Sequence, residues 1–323
     1  MSKIEWTEKT WNPVVGCSHA SPGCDHCYAE RMARRQVHMG TAHYAGTVGD
    51  SGWTGQTAIA PDSIFFKPLH WKKPRRIFVC SMGDLFHESV DFDTIDRVFA
   101  VMALCPQHTF QCLTKRAERM KEYVCWRSVE PDMANRYDRG QKIDGSGYIE
   151  NHICGFTGCR WPLPNVWLGV TAENQGMADK RIPILLDTPA AVRFVSCEPM
   201  LGAIDLDRSI GGTLWIGGQR GCAGTHRHRD CPHPHHHHDN RCKPGLDWVI
   251  AGGESGPGAR PMRPDWIRDL RDQCKAAGVP FLFKQWGDSI ASGAVAAGYR
   301  VKEKKGGRML DGVLHDAYPE VKL

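Results

Sequence analysis

Short apolar runs rich in β-branched and aromatic residues recur along the chain, each closing on a turn-prone or polar segment. They are Arg76–Ser81 (RIFVCS), Thr109–Leu113 (TFQCL), Val166–Val170 (VWLGV), Val192–Ser196 (VRFVS), Trp248–Ala251 (WVIA) and Pro280–Lys284 (PFLFK). Near-continuous apolar character is what a strand needs when both faces of a parallel sheet are covered. Stretches with apolar positions at helical spacing lie between several of them: Asp91–Leu104 behind an acidic start, Lys115–Val124, Asn174–Leu186, and Pro264–Ala277 stopped by Gly278. This alternation predicts an α/β fold of βαβ units, hence a partial or complete (βα) barrel, with an open doubly wound sheet as the other arrangement.

Three stretches break the alternation. The segment 41–62 is rich in Gly, Thr and Ala and reads as a loop over the surface. The segment 126–164 is polar and contains Cys154 and Cys159, and 217–245 is dominated by Cys and His. In a barrel such insertions belong to loops rather than to the wall. With 323 residues and no internal repeat, one barrel domain spanning 1–323 with these three insertions accounts for the chain.

Composition narrows the setting. No apolar run approaches a membrane span, and the start MSKIEWTEKTW is too polar for a secretory signal, so a cytoplasmic location and no membrane partner are expected. In that compartment 14 cysteines point away from a disulfide framework and toward metal or redox duty for some of them. The net charge of +5 is mild. Local basic clusters are sharper: Arg31, Arg34 and Arg35; Lys72, Lys73, Arg75 and Arg76; Lys115, Arg116, Arg119 and Lys121. They suit either a phosphate backbone or solvated helix faces and loop ends.

The chemistry concentrates in TWNPVVGCSHASPGCDHCYAE, residues 10–30. Six residues separate Cys17 from Cys24 and two separate Cys24 from Cys27. Three thiolates on one loop can bind three irons of a four-iron (4Fe-4S) cluster and leave the fourth iron open. An open iron is what S-adenosylmethionine needs to chelate through its amino and carboxylate groups before one-electron cleavage to a 5′-deoxyadenosyl radical. Gly16, Pro22 and Gly23 supply turn chemistry, and a helix is expected to begin near Asp25. A structural zinc site completed by His19 or His26 is the competing reading, although no second cysteine pair lies nearby.

This loop resembles the cluster loop of radical S-adenosylmethionine enzymes, with two departures. That superfamily usually has three residues between its first two cysteines, and an aromatic residue where His26 stands. The chain as a whole more closely resembles a phage-associated three-cysteine family of uncharacterised proteins. The shared segments are EWTEKTWNPVVGC, SMGDLFH, LTKRAERM, GGESGPGARPM and FLFKQWG, covering nearly the full length outside the insertions. The resemblance implies a barrel of the radical-enzyme type, a host-cytoplasm setting if phage-encoded, and an electron donor such as a flavodoxin or ferredoxin. It also implies that Ser81, Gly83 and Asp84 stand where such enzymes carry a Gly-Gly-Glu run that holds the methionyl ammonium, with Asp84 supplying the carboxylate. A simple turn cap is the other reading of Asp84.

In a barrel the site lies at the C-terminal ends of the strands. Here those ends lead into Glu173, Glu198, Gly252-Gly253-Glu254 and Lys284. Charged residues after buried strands are costly unless they line a cavity or pair with each other. Glu173, Glu198, Glu254 and Lys284 are therefore expected to line a pocket with Asp84, or, for Lys284 and one glutamate, to form a structural ion pair. Gly252 and Gly253 would let a ligand approach the backbone. In the third insertion, Cys222, Cys231 and Cys242 are interleaved with seven histidines. With Cys154 and Cys159 they form a candidate second, zinc-type site, or else a variable loop with adventitious metal affinity.

Two functions follow. One is a radical enzyme with an unassigned substrate, for which nucleic acid, a small molecule and a peptide are all open. A base would have to leave its stack to meet a buried radical. The other is a non-catalytic, metal-stabilised nucleic-acid-binding protein with a Trp-rich surface that stacks on bases, which 11 tryptophans permit although most of them are expected in the core.

Overall fold

A computed structural model describes residues 4–129, 161–207, 209–210, 213–216, 245–289 and 307–320. Seven parallel strands form one sheet: β1 (Lys9–Trp11), β2 (Arg76–Val79), β3 (Thr109–Thr114), β4 (Val166–Thr171), β5 (Val192–Cys197), β6 (Trp248–Gly252) and β7 (Phe281–Gln285). Their order in space is their order in sequence, and every neighbouring pair is parallel. A doubly wound sheet would reverse direction at a switch point. This one never does, so it curls as an open half-barrel. The six strands expected from the apolar runs are present, and β1 is additional. Its sequence KTW is too short and too polar at one end to announce a strand.

Between the strands lie helices α1 (Tyr28–His38), α2 (Phe92–Ala103), α3 (Ala117–Val129), α4 (Gln175–Leu186) and α5 (Pro264–Ala276). Their starts are encoded locally. The Asp91 carboxylate accepts the Thr94 N–H at 2.6 Å, and the Asn174 side chain accepts the Met177 N–H at 3.0 Å, each satisfying an orphan donor of the first turn. Pro264 opens α5, where its missing N–H costs nothing. The helix expected near Asp25 begins three residues later, because Pro22–Cys24 form a 3₁₀ turn first.

Period-two alternation divides the strand side chains between two cores. Ile77, Val79, Leu168, Val195, Val249, Ala251 and Phe283 pack with Ile95, Met120, Ile182 and Leu270 of the helices. Phe78, Trp167, Phe194, Trp248, Ile250 and Leu282 point the other way and close around Trp6, filling the concave side. Trp248 is the hub, with ring centroids 5.7 Å from Phe194, 5.8 Å from Trp167 and 6.4 Å from Trp6. Each such buried ring contributes about 1.5–3 kcal/mol. Gly169 makes room for Phe194: a Cβ there would stand 2.5 Å from the ring. The wide strand run is thus plugged by aromatic rings on its concave face. Trp6, Trp11, Trp167, Trp215, Trp248 and Trp286 are all buried, as expected for tryptophans that mostly serve the core.

The segment 41–62 is more than a surface loop. Ala58–Ile59 pairs antiparallel with Val14–Val15, and Val48–Gly49 pairs with Gly52–Trp53. A small core of Val15, Ala33 and Tyr44, with Trp53 and Met82 against it, ties this segment to α1. At the far edge, residues 315–317 hydrogen-bond along β7, and Tyr318 stacks on Trp248, so that edge is covered. Among the described residues, no helix is long and apolar enough to cross a membrane.

Candidate functional site

The cysteine loop, residues 16–27, leaves the end of β1 and is stitched to the ends of three other strands. At β2 the Gly16 N–H donates to the Met82 carbonyl (3.1 Å), and Gly16 and Gly83 form a parallel bridge. A Cβ on Gly83 would stand 2.8 Å from the Gly16 oxygen, so this approach requires glycine. At β4, Glu173 is completely buried; it accepts the Gly23 N–H (3.1 Å) on one oxygen and Arg181 Nη1 (3.0 Å) on the other. At β6, Glu254 accepts His26 Nδ1 (3.0 Å) and three donors of Arg260. Arg260 in turn donates to Asp25 (2.9 Å) and to the Pro22 carbonyl (2.9 Å).

The electrostatics follow from these partners. Burial alone would raise Glu173, but the facing Ser21 hydroxyl, Arg181, and the backbone N–H groups of Glu173 and Gly23 outweigh it and hold the carboxyl below its ordinary value. Glu254 is likewise opposed by burial, yet Arg260 and His26 draw it down to about 2. Both glutamates are permanent anions, and both are spent on the loop. They serve as anchors rather than as free acids or bases.

The thiols sit half-buried on this braced loop. Burial, then Asp84, push the Cys17 thiol up to about 12 against the pull of Arg116, so binding a metal there must displace a proton. Cys24 lies close enough to act on Cys17 electrostatically. Among the described residues, no group of three or more His, Cys, Asp and Glu side chains stands arranged to hold a metal ion. The fit to an iron–sulfur cluster therefore rests on donor chemistry: three thiols on one loop, with a buried guanidinium aimed at one sulfur. His19 and His26, the candidate zinc ligands, are engaged instead with Asp25 (2.7 Å) and Glu254 (3.0 Å).

Asp84 is buried and fully committed. It accepts from the Phe86 N–H, Thr114 Oγ1, the Lys115 N–H and Arg116 Nη1. It is a turn organiser for the β2 and β3 ends, which includes the capping role. Ser81 donates to the Asn12 side chain (3.1 Å), and its carbonyl accepts the Tyr28 hydroxyl (2.8 Å). Tyr28 as a residue is 46% exposed, but that hydroxyl is turned inward, and burial followed by the neighbouring Cys27 pushes it up.

Lys284 and Glu198 pair at 3.0 Å, and Ser196 Oγ donates to Glu198 at 3.2 Å. Ser196 and Lys284 are in phase with Phe194 and Leu282 along their strands, and Glu198 follows the end of β5, so the three sit at the concave mouth above the aromatic plug. A Cβ on Gly252 would stand 3.1 Å from Glu198, and one on Gly253 would run into the Trp286 carbonyl. These two glycines therefore serve close packing of the chain on itself. The basic run after β3 is partly internal: Arg116 is buried, Arg119 donates to the Val90 carbonyl (2.6 Å) and lies over Phe92, while Lys121 pairs with Asp187 at the surface. Cys154, Cys159, Cys222, Cys231 and Cys242, the candidate second metal set, lie outside the described residues.

Sequence reasoning missed Arg260, Arg181 and the functional placement of Arg116. The signal for Arg181 was present: an arginine eight residues after a buried strand-end glutamate, on the inward side of an amphipathic helix. A family model described as protein of unknown function (DUF5131) matches residues 1–319. The chain belongs to that family. No curated protein and no solved structure matches it. For a DUF5131 chain the family itself supplies no activity, so function has to be argued from the site.

Proposed function

We propose that this chain is a radical S-adenosylmethionine enzyme, holding a four-iron cluster on Cys17, Cys24 and Cys27. The observation that carries the reading is the bracing of a three-thiol loop, by Glu173, Glu254 and Arg260, across the C-terminal ends of a sequentially wound parallel half-barrel. When bound, such a cluster supplies single-electron chemistry toward a sulfonium ligand at its open iron.

The chain's own residues do the rest. Glu173, Glu254 and Arg260 hold the loop against the sheet, so that little order remains to be gained when the metal binds. The aromatic plug beneath closes the concave side to water. Glu198, Lys284 and Ser196 present an acceptor and a cation at the mouth, a set suited to a ligand that carries both a carboxylate and an amine. In this reading a small flavin or iron–sulfur protein delivers the electron, and the work is done in the cytoplasm, that of the host if the chain is phage-encoded.

Anaerobic reconstitution with iron and sulfide tests it. The protein is expected to turn brown and, with dithionite and S-adenosylmethionine, to release 5′-deoxyadenosine; the C17A/C24A/C27A variant should do neither while keeping its far-UV circular dichroism. A colourless protein that retains zinc and binds DNA with a steep salt dependence would replace the enzyme with a nucleic-acid-binding module.

A further inference from the structure

Arg116 opens α3's approach from β3 and is only 7% exposed, yet it is not buried merely as half of an ion pair. A guanidinium has five N–H donors, and all five have acceptors here. Nε donates to Glu88 (2.8 Å); Nη1 donates to Asp84 (3.1 Å) and to Cys17 Sγ (3.7 Å); Nη2 donates to Ser18 Oγ (2.7 Å) and to the Ser18 carbonyl (3.4 Å). Two of the three nitrogens therefore reach the cysteine loop, one at the sulfur and one at the next residue. Asp84 fixes the fork from behind while itself held by Thr114 and two backbone N–H groups. A lysine could not meet this planar, divergent set of acceptors.

We propose that Arg116 is a positioning residue for the iron–sulfur site: it orients Cys17 and, by donating to its sulfur, makes reduction of the cluster easier. The inference rests on the iron–sulfur reading above and adds to it a specific determinant of potential. Hydrogen bonds to ligand sulfurs and nearby charge set the reduction potential of such clusters. The reduced form carries one more negative charge than the oxidised form, so a fixed cation and donor at one sulfur favours it. Asp84 opposes this as a buried anion a few ångströms further back. The two residues should therefore move the potential in opposite directions, whereas two residues of merely structural importance would not.

The test is a mediated redox titration of the reconstituted full-length chain, followed by electron paramagnetic resonance, on wild type, R116M, R116K and D84N, with iron and sulfide per chain measured on each. R116M is expected to retain iron and to be about tenfold harder to reduce, a midpoint roughly 59 mV lower for a one-electron couple. R116K should fall between R116M and wild type, and D84N should shift upward. An R116M variant that retains iron at the wild-type midpoint overturns the proposal. Where R116M does not fold, D84N decides, and a midpoint at or below wild type overturns it. Failure of the wild type itself to take up iron would instead sink the iron–sulfur reading, which keeps the two failures apart.

Discussion

Removing Glu173 should be the most informative single change in this protein. The carboxylate is fully buried, pairs with an Arg181 that is 2% exposed, and is the acceptor for Gly23 in the middle of the cysteine loop. Truncation in E173A leaves a buried guanidinium without its counter-ion, which costs about 3–5 kcal/mol. E173Q can keep its amide oxygen on Gly23 but then turns its NH2 toward Arg181, so it too leaves the buried guanidinium without a counter-ion, a loss of about 3–5 kcal/mol. The double variant E173M/R181M removes both charges at once, and such a replacement by apolar groups is often close to neutral. It should recover most of the stability while still leaving Gly23 unanchored. Urea unfolding with unchanged m-values measures the first effect, and the rate at which a disulfide reagent modifies Cys17, Cys24 and Cys27 measures the second. Stability should follow the order wild type, then E173M/R181M, then E173A, while thiol reactivity should be raised in both substituted proteins. The pH dependence carries the same signature. Because the folded carboxyl lies below its ordinary value, its contribution is complete above the unfolded value near 4.3 and is lost as pH falls through the folded one. The gap between wild type and E173Q should therefore close in acid. An E173A protein within about 1 kcal/mol of wild type at neutral pH, or with wild-type thiol reactivity, would refute the anchoring argument.

Two further outcomes are expected. G169A pushes a methyl group to 2.5 Å from the Phe194 ring, so it should cost about 1–3 kcal/mol in unfolding free energy without altering iron content; the second variant G169A/F194L should recover part of the loss. E198Q and K284M break a pair at the concave mouth and should each cost about 1–3 kcal/mol while lowering 5′-deoxyadenosine release at least tenfold in protein with full iron; unchanged release would remove Glu198 and Lys284 from the reacting cavity.

The sheet was legible because buried parallel strands write themselves as unbroken apolar runs, and β2 to β7 all do so. β1 was not, since a three-residue edge strand has no period to detect. Helix limits were legible where a side chain caps its own helix, as Asp91 and Asn174 do, and not at α1, where Pro22 inserts a 3₁₀ turn. The candidate site divides along the same line. The three cysteines share one short loop, so their spacing alone announced them. The strand-end carboxylates were also visible, but their use was not, because a partner's identity is a long-range fact: Gly23 meets Glu173 across 150 positions, and His26 meets Glu254 across 228. An acidic residue after a buried strand must find either a cavity or a cation. Sequence can pose that choice but cannot make it. Here the geometry gives Glu173 to Arg181, Glu254 to Arg260 and Asp84 to Arg116, three carboxylate–arginine pairs at three strand ends. In each, the arginine or the carboxylate also holds an atom of the cysteine loop: Gly23, Pro22 and Cys17 in turn. The charges that looked like a substrate pocket are thus the clamp that fixes the thiols. Among the described residues, the side chains of Glu198 and Lys284 bond to each other and to Ser196 and to no member of that clamp, and this leaves them, rather than the other three carboxylates, as the groups to pursue for the substrate.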